Sequence, residues 1–165
     1  MNTKSKKNIV IKIGTTSIIK NNKVDSTLLN KLVDIVKDFS KQYNFVIVTS
    51  GAVGLGASKL KYKTRPKSLK KLQVASAVGQ IELVNQYEKI FNKSKMNIAQ
   101  VLITKNLIDD REQFVNTTQA LNELLSEGIV PVVNENDVVA TEELKFGDND
   151  RLSAIVSIIV DAEKL

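Results

Sequence analysis

Residues 45–58 read FVIVTSGAVGLGAS. The run FVIVTS (45–50) is short, apolar and β-branched, and reads as a buried strand. It ends at Ser50-Gly51-Ala52 and passes straight into small residues. A strand that opens through glycine into a helix leaves backbone N–H groups facing outward, where they can hold an anion. A tight strand-to-helix turn with close packing explains the same residues without a ligand. The glycines at 51, 54 and 56 run G-x-x-G-x-G. The stretch therefore matches neither the G-x-G-x-x-G dinucleotide pattern nor the G-x-x-x-x-G-K-[ST] phosphate loop.

Working outward, NIVIKI (8–13), IAQVLIT (98–104) and IVPVV (129–133) are three more strand-like runs. Between them lie stretches with helical spacing. From Ser26, the apolar positions Leu28, Leu29, Leu32, Val33, Val36 and Phe39 share one helix face, with Ser26 placed to cap it. Residues 72–91, 109–128 and 148–162 read as further helices, and 138–146 as a short hairpin turning near Glu142-Glu143. Strands alternating with helices predict an α/β fold, a mainly parallel sheet sandwiched by helices. Ligands in such sheets bind beyond the carboxyl ends of the strands. Those ends are Gly14-Thr15, Ser50-Gly51, Thr104-Lys105 and Asn134 to Asp137.

Composition narrows the chemistry. The 165 residues suffice for one domain with a real core. The chain has no Cys and no His, which excludes disulfides, thiolate metal sites, Cys nucleophiles and Ser-His-Asp triads. No apolar run approaches the roughly 18 residues that cross a membrane, and no signal peptide is read at the N-terminus. Cysteine-free composition fits a cytoplasmic protein. The net charge of +6 is local: residues 59–71, KLKYKTRPKSLKK, hold seven basic residues and no acid, and without them the balance is −1. This basic loop, set at 57–71, reads as a solvated loop or as an attractor of an anionic substrate. Only Tyr62 interleaves with its charges, so nucleic-acid binding is not expected.

Two further features carry chemistry. Lys12 lies inside the first apolar strand, where an ammonium either snorkels to the strand end or meets an anion. Gly14, two positions on, lets the backbone approach a phosphate closely. The second feature is a pair of acid–amide clusters, Asn134-Glu135-Asn136-Asp137 and Asp148-Asn149-Asp150. Turns and helix capping explain parts of each. Together they offer the donors and acceptors that an α-amino acid needs for its carboxylate and its ammonium. The calcium-loop pattern is absent, and no metal site is expected.

The blocks VIKIGTTSI, VIVTSGAVGLG, VASAVGQ, QVLIT, DDREQFVNT, IVPVVNENDVVAT and FGDNDRLSA resemble, in order and spacing, the glutamate 5-kinase family of the amino-acid kinase superfamily. The resemblance runs from about residue 8 to the end. It implies ATP-dependent phosphorylation of the γ-carboxylate of L-glutamate, the first step of proline biosynthesis, with Mg2+ carried by the nucleotide. It implies that Lys12 stabilises the transferring phosphoryl group, with Asp150 as its catalytic neighbour. Gly14 and Thr15 resemble the phosphate-facing turn. Ser50, Gly51 and Ala52 resemble the part that holds glutamate, and Asp137 and Asn149 its glutamate-binding pair. Asn134 and Asp148 resemble residues that orient that pair. A homo-oligomer and proline feedback are also implied.

The family pattern continues beyond DAEKL into a nucleotide-binding half. The 165 residues are therefore expected to be an amino-terminal, glutamate-binding portion, with ATP contacted through sequence it lacks. An apolar helix face and a sheet edge are expected to be left partly uncovered. The chain alone is not expected to complete the catalytic site. The alternative is a non-catalytic module that binds glutamate or proline in the same pocket.

Overall fold

A computed structural model describes residues 6–139 and 148–165, apart from the side chains of Lys105 and Asp148. Five strands form one parallel sheet: β1 (Lys7–Lys12), β4 (Tyr43–Val48), β5 (Ile98–Ile103), β6 (Val130–Glu135) and β7 (Ala162–Lys164), in the order β5-β6-β4-β1-β7. A two-stranded hairpin, β2 (Ile19–Lys20) and β3 (Lys23–Val24), stands apart from it. The helices are α1 (Thr15–Ile18), α2 (Ser26–Phe39), α3 (Ala52–Lys59), α4 (Leu69–Lys93), α5 (Arg111–Ser126) and α6 (Asp148–Ile159).

The central strands carry apolar runs on both faces, Phe45–Val48 in β4 and Val130–Val133 in β6, because both faces of the sheet are covered there. Phe45 and Ile47 of β4 point into a core shared with α2 and α4, through Leu29, Val36, Leu83 and Phe91. Val46 and Val48 point the other way, into a core with α5 and α6, through Leu121, Leu125, Leu152 and Val156. Period-two alternation thus divides one β-branched run between two layers.

Several boundaries differ from the sequence reading. Asp25, not Ser26, caps α2: its carboxylate accepts from the N–H groups of Thr27 and Leu28. The Lys20 ammonium pairs with the same carboxylate, and with the Leu28 N–H it holds Asp25 below its ordinary range. The basic loop is narrower than 57–71, since α3 runs through Lys59 and α4 starts at Leu69. The last helix stops at Ile159, and a turn at Asp161 (φ 47) leads to β7 beside β1. That short strand pairs with β1 only at Asn8 and Ile9 and becomes the outer strand, so a sheet edge stays partly uncovered, as expected. Most of the apolar face of α6 is buried, while Ile158 and Leu165 stay exposed. Of the hairpin expected at 138–146, Val138 and Val139 instead complete a 3-10 turn, Asp137–Val139. Its turn at Glu142-Glu143 lies outside the described residues.

Helices α3 and α4 pack backbone against backbone. A Cβ on Gly79 would overlap the Ala52 carbonyl oxygen, and one on Gly56 would overlap the Ala75 carbonyl oxygen. Backbone meets backbone here, and neither carbonyl can swing aside as a side chain would. Gly54, on the open side of α3, has nothing near its Cβ position. The same substitution is therefore expected to act with opposite sign at the two places. Gly79→Ala should destabilise by about 1–3 kcal/mol through overpacking. Gly54→Ala should stabilise by up to about 1 kcal/mol through helix propensity. Urea denaturation of both variants checks this, and a shift of the same sign in both would contradict the packing account.

Candidate active site

The parallel register brings three strand ends to one level. Lys12 of β1 lies beside Val48 of β4, and Val48 beside Val133 of β6. The next residues carry the ladder one step on: the Ile13 N–H donates to the Val48 carbonyl at 2.8 Å, and the Thr49 N–H to the Val133 carbonyl at 2.9 Å. Beyond this level each strand becomes polar, and a cleft of about 460 Å³ opens there. Lys12, Gly14, Thr15, Ser50, Gly51, Ala52, Asn134, Asp137, Asn149 and Asp150 all line it. The fourth strand end expected at the cluster, Thr104, is not among the lining residues, because β5 is the edge strand of the sheet. Asp148 opens α6, but its side chain lies outside the described residues.

Asn149 joins the two acid–amide clusters. Its side-chain Nδ2 lies 2.5 Å from the Thr49 carbonyl, 2.6 Å from Ser50 Oγ and 3.2 Å from Asn134 Oδ1. The Thr49 carbonyl is only an acceptor, so the amide must present its NH2 here. Asn134 passes the chain on, donating from Nδ2 to Gln80 Oε1 at 2.9 Å. Asp137 is buried and accepts from the Ser76 hydroxyl at 2.5 Å. Under Thr49, the buried Tyr87 hydroxyl donates to Thr49 Oγ1 at 2.9 Å. Burial pushes the Tyr87 hydroxyl well above its ordinary value, outweighing the opposite effect of that hydrogen bond. Tyr87 therefore keeps its proton and remains a donor at neutral pH.

Lys12 does not simply snorkel to water. Its Nζ lies 2.7 Å from Asp150 Oδ1 and folds over Gly14, where an added Cβ would sit 3.4 Å away. The ion pair is open to solvent, with the Lys12 side chain 34% and the Asp150 side chain 68% exposed, so an incoming anion can compete for the ammonium. Opposite it, the chain turns sharply at Gly51, whose φ of 107° an L side chain rarely adopts. Its Cβ position is also closed by Ile19, at 2.9 Å. That turn starts α3, whose first N–H groups have no partner within the helix, and the residues that carry them, Ala52 to Gly54, line the cleft. Gly14 precedes α1 likewise: its carbonyl accepts from the Ser17 and Ile18 N–H groups, and Thr15 and Thr16, the first residues of that helix, line the cleft. An ammonium and two sets of backbone N–H groups suit a phosphate. The carboxyl and amide groups of Asp137, Asn134 and Asn149 suit an amino acid.

The sequence reading missed Ser76, Gln80, Thr49 and Tyr87. Ser76 and Gln80 sit one turn apart on the buried face of α4, among Leu72, Ala75, Gly79 and Leu83. Two polar residues at i and i+4 on an otherwise apolar face were the available signal. No group of three or more Asp and Glu among the described residues is arranged to hold a metal ion. No helix among them is long and apolar enough to cross a membrane.

A model of the amino acid kinase family matches residues 7–165. The glutamate 5-kinase of Prochlorococcus marinus (strain MIT 9301) is 49% identical over 159 residues, which cover 94% of this chain and 44% of that protein. The glutamate 5-kinase of Lactococcus lactis subsp. lactis (strain IL1403) is 40% identical, over 99% of this chain and 63% of that protein. The chain thus spans less than two thirds of the length of these relatives. Among solved structures, UMP kinase from Ureaplasma parvum superposes with a TM-score of 0.61 at 18% identity, covering 96% of this chain and 66% of that one. Giardia carbamate kinase gives 0.61 at 12% identity, over 96% of this chain and 72% of that one. At such identities the likeness speaks for the fold alone.

The direction of the Asn149 amide has a direct test. Asn149→Asp keeps the shape but turns an oxygen toward the Thr49 carbonyl, Ser50 Oγ and Asn134 Oδ1. It is expected to destabilise by about 1–3 kcal/mol at neutral pH, and by more than Asn149→Ala. Thermal unfolding compares the two, and a more stable Asp variant would mean that the amide is not the donor.

Proposed function

The chain belongs to the amino acid kinase family, and we infer that its cleft is the acceptor site of a glutamate 5-kinase. One observation carries this reading. The two acid–amide clusters, distant in sequence, meet through Asn149 and Asn134, and the cleft they line also holds Lys12 and the turns at Gly14 and Gly51. An amino-acid subsite and a phosphate subsite thus share one cavity.

In this reading Asp137 takes the ammonium of L-glutamate, positioned by the Ser76 hydroxyl. Asn134 and Asn149 orient its polar groups. Its γ-carboxylate lies toward Lys12. A carboxylate is already deprotonated at neutral pH, so the site needs no general base. One carboxylate oxygen forms a bond to the terminal phosphorus of ATP as the bond to the ADP oxygen breaks, and γ-glutamyl phosphate results. Lys12, together with the N–H groups at Gly14–Thr15 and at Gly51–Ala52, offsets the charge on the phosphoryl oxygens. Positioning and charge neutralisation are what phosphoryl transfer asks of a protein. Asp150 holds the Lys12 ammonium over the turn. The phosphate end of ATP fits these groups, and Mg2+ would arrive with the nucleotide. The adenine and ribose contacts that the family resemblance implies fall outside these residues. We therefore assign residues 1–165 the glutamate-binding part of the reaction, as a step of proline biosynthesis in the cytoplasm.

Calorimetric titration of the 165-residue chain with L-glutamate tests this. Saturable binding is expected, weakened about tenfold or more by Asp137→Asn, which removes one charge-assisted contact. A folded chain that binds no glutamate, or an Asp137→Asn chain that binds it equally well, would contradict the assignment.

A further inference from the structure

The segment between α3 and α4 is a built loop rather than a loose tether. Tyr62 is half-buried, and its N–H donates to the Ala57 carbonyl at 2.9 Å. The Lys71 ammonium lies 5.8 Å from the Tyr62 ring centroid, within cation–π range. Pro66 is buried, and Lys61 takes the left-handed conformation (φ 56) that turns the chain back. This bracing presents Lys63 and Arg65, both exposed, to the rim of the cleft already described.

Their charge changes what the cleft can admit. Apart from the loop, the described residues lining it bring three carboxyl side chains, Glu135, Asp137 and Asp150, and one ammonium, Lys12. That ammonium already faces Asp150. L-Glutamate is a net anion at neutral pH, so such a cavity would tend to repel the acceptor proposed above. Lys63 and Arg65 raise the cationic side chains to three, against three carboxyl groups. Lys59 and Lys70, equally exposed, do not line the cleft.

We propose that Lys63 and Arg65 are an electrostatic specificity element, which draws the anionic acceptor into the cleft and counterbalances its free α-carboxylate there. The proposal rests on the glutamate reading of the cleft. It assigns the two cations to ground-state binding and leaves the phosphoryl chemistry to Lys12. Of the seven basic residues in 59–71, only these two have this role. The interaction is with exposed groups and is therefore screened by salt.

The test is L-glutamate binding by the 165-residue chain, measured by calorimetry at about 20 mM and about 300 mM salt, where screening differs severalfold. Four samples are compared: the natural chain, Lys63→Gln/Arg65→Gln, the charge-preserving Lys63→Arg/Arg65→Lys, and Lys59→Gln/Lys70→Gln. Circular dichroism checks that each is folded. At low salt the first pair is expected to weaken binding roughly three- to tenfold, as two exposed charge contacts would. It should also flatten the salt dependence, while the charge-preserving pair keeps it. The Lys59→Gln/Lys70→Gln chain, which loses the same charge elsewhere, should bind like the natural chain. If both neutral pairs weaken binding equally, net charge and not the cleft rim is responsible, and the proposal fails. Natural affinity and salt slope in Lys63→Gln/Arg65→Gln would overturn it while leaving the glutamate site standing. No binding by the natural chain at either salt would overturn both.

Discussion

The Asn149 side-chain amide is the constraint on which the site depends. Three strands end in polar residues at one level, and nothing in a parallel sheet ties those ends together beyond the last ladder bond. Asn149 supplies that tie from α6. One NH2 group reaches the backbone of β4's end at Thr49, the Ser50 hydroxyl and the Asn134 side chain that continues to Gln80. Two hydrogens shared among three close acceptors leave the amide little freedom to rotate. Of the groups it holds, Ser50 and Asn134 line the cleft, and Asp150, the next residue on α6, holds Lys12.

This brace works only because the opposite wall is rigid. Ser76 and Gln80 reach Asp137 and Asn134 from α4. They can do so because α4 is pressed against α3 at Gly56 and Gly79, with no side chain between the backbones. The crossing also sets where α3 begins, and hence where the N–H groups after Gly51 point. Helix packing, the glycine turn and the polar network are therefore one arrangement seen at three scales. A buried polar network is stabilising when its members find partners and costly when they do not, which ties this region's stability to its geometry.

Much of this was legible in the sequence, for physical reasons. The four longer strands announced themselves as β-branched runs, and the polar ends of three of them gave the lining of the cleft. Shorter elements carried too little pattern. The β2–β3 hairpin has two residues per strand, and its only signal was Asn21-Asn22, where both residues take positive φ. The sequence of β7, Ala-Glu-Lys, has no apolar run at all, and pairing with β1 makes it a strand. Asp25 and Ser26 are both good caps, and sequence alone does not choose between them. Ser76 and Gln80 were hidden because a small hydroxyl and an amide in a long helix read as surface until their face is known. The basic stretch was visible as charge, but only the fold divides it: two of its cations reach the cleft, and others spend their length on α3 and α4.

The central claim is that the Asn149 amide is a fixed donor joining the two clusters that we propose receive the amino acid. Its side-chain NH2 resonances in a nitrogen-15 NMR spectrum report this directly, assigned by their loss in Asn149→Ala. The account predicts two well-separated proton signals, slow to exchange with water, that move and saturate as L-glutamate is added. A near-degenerate, rapidly exchanging pair at the position of a free asparagine, unmoved by glutamate, would contradict it.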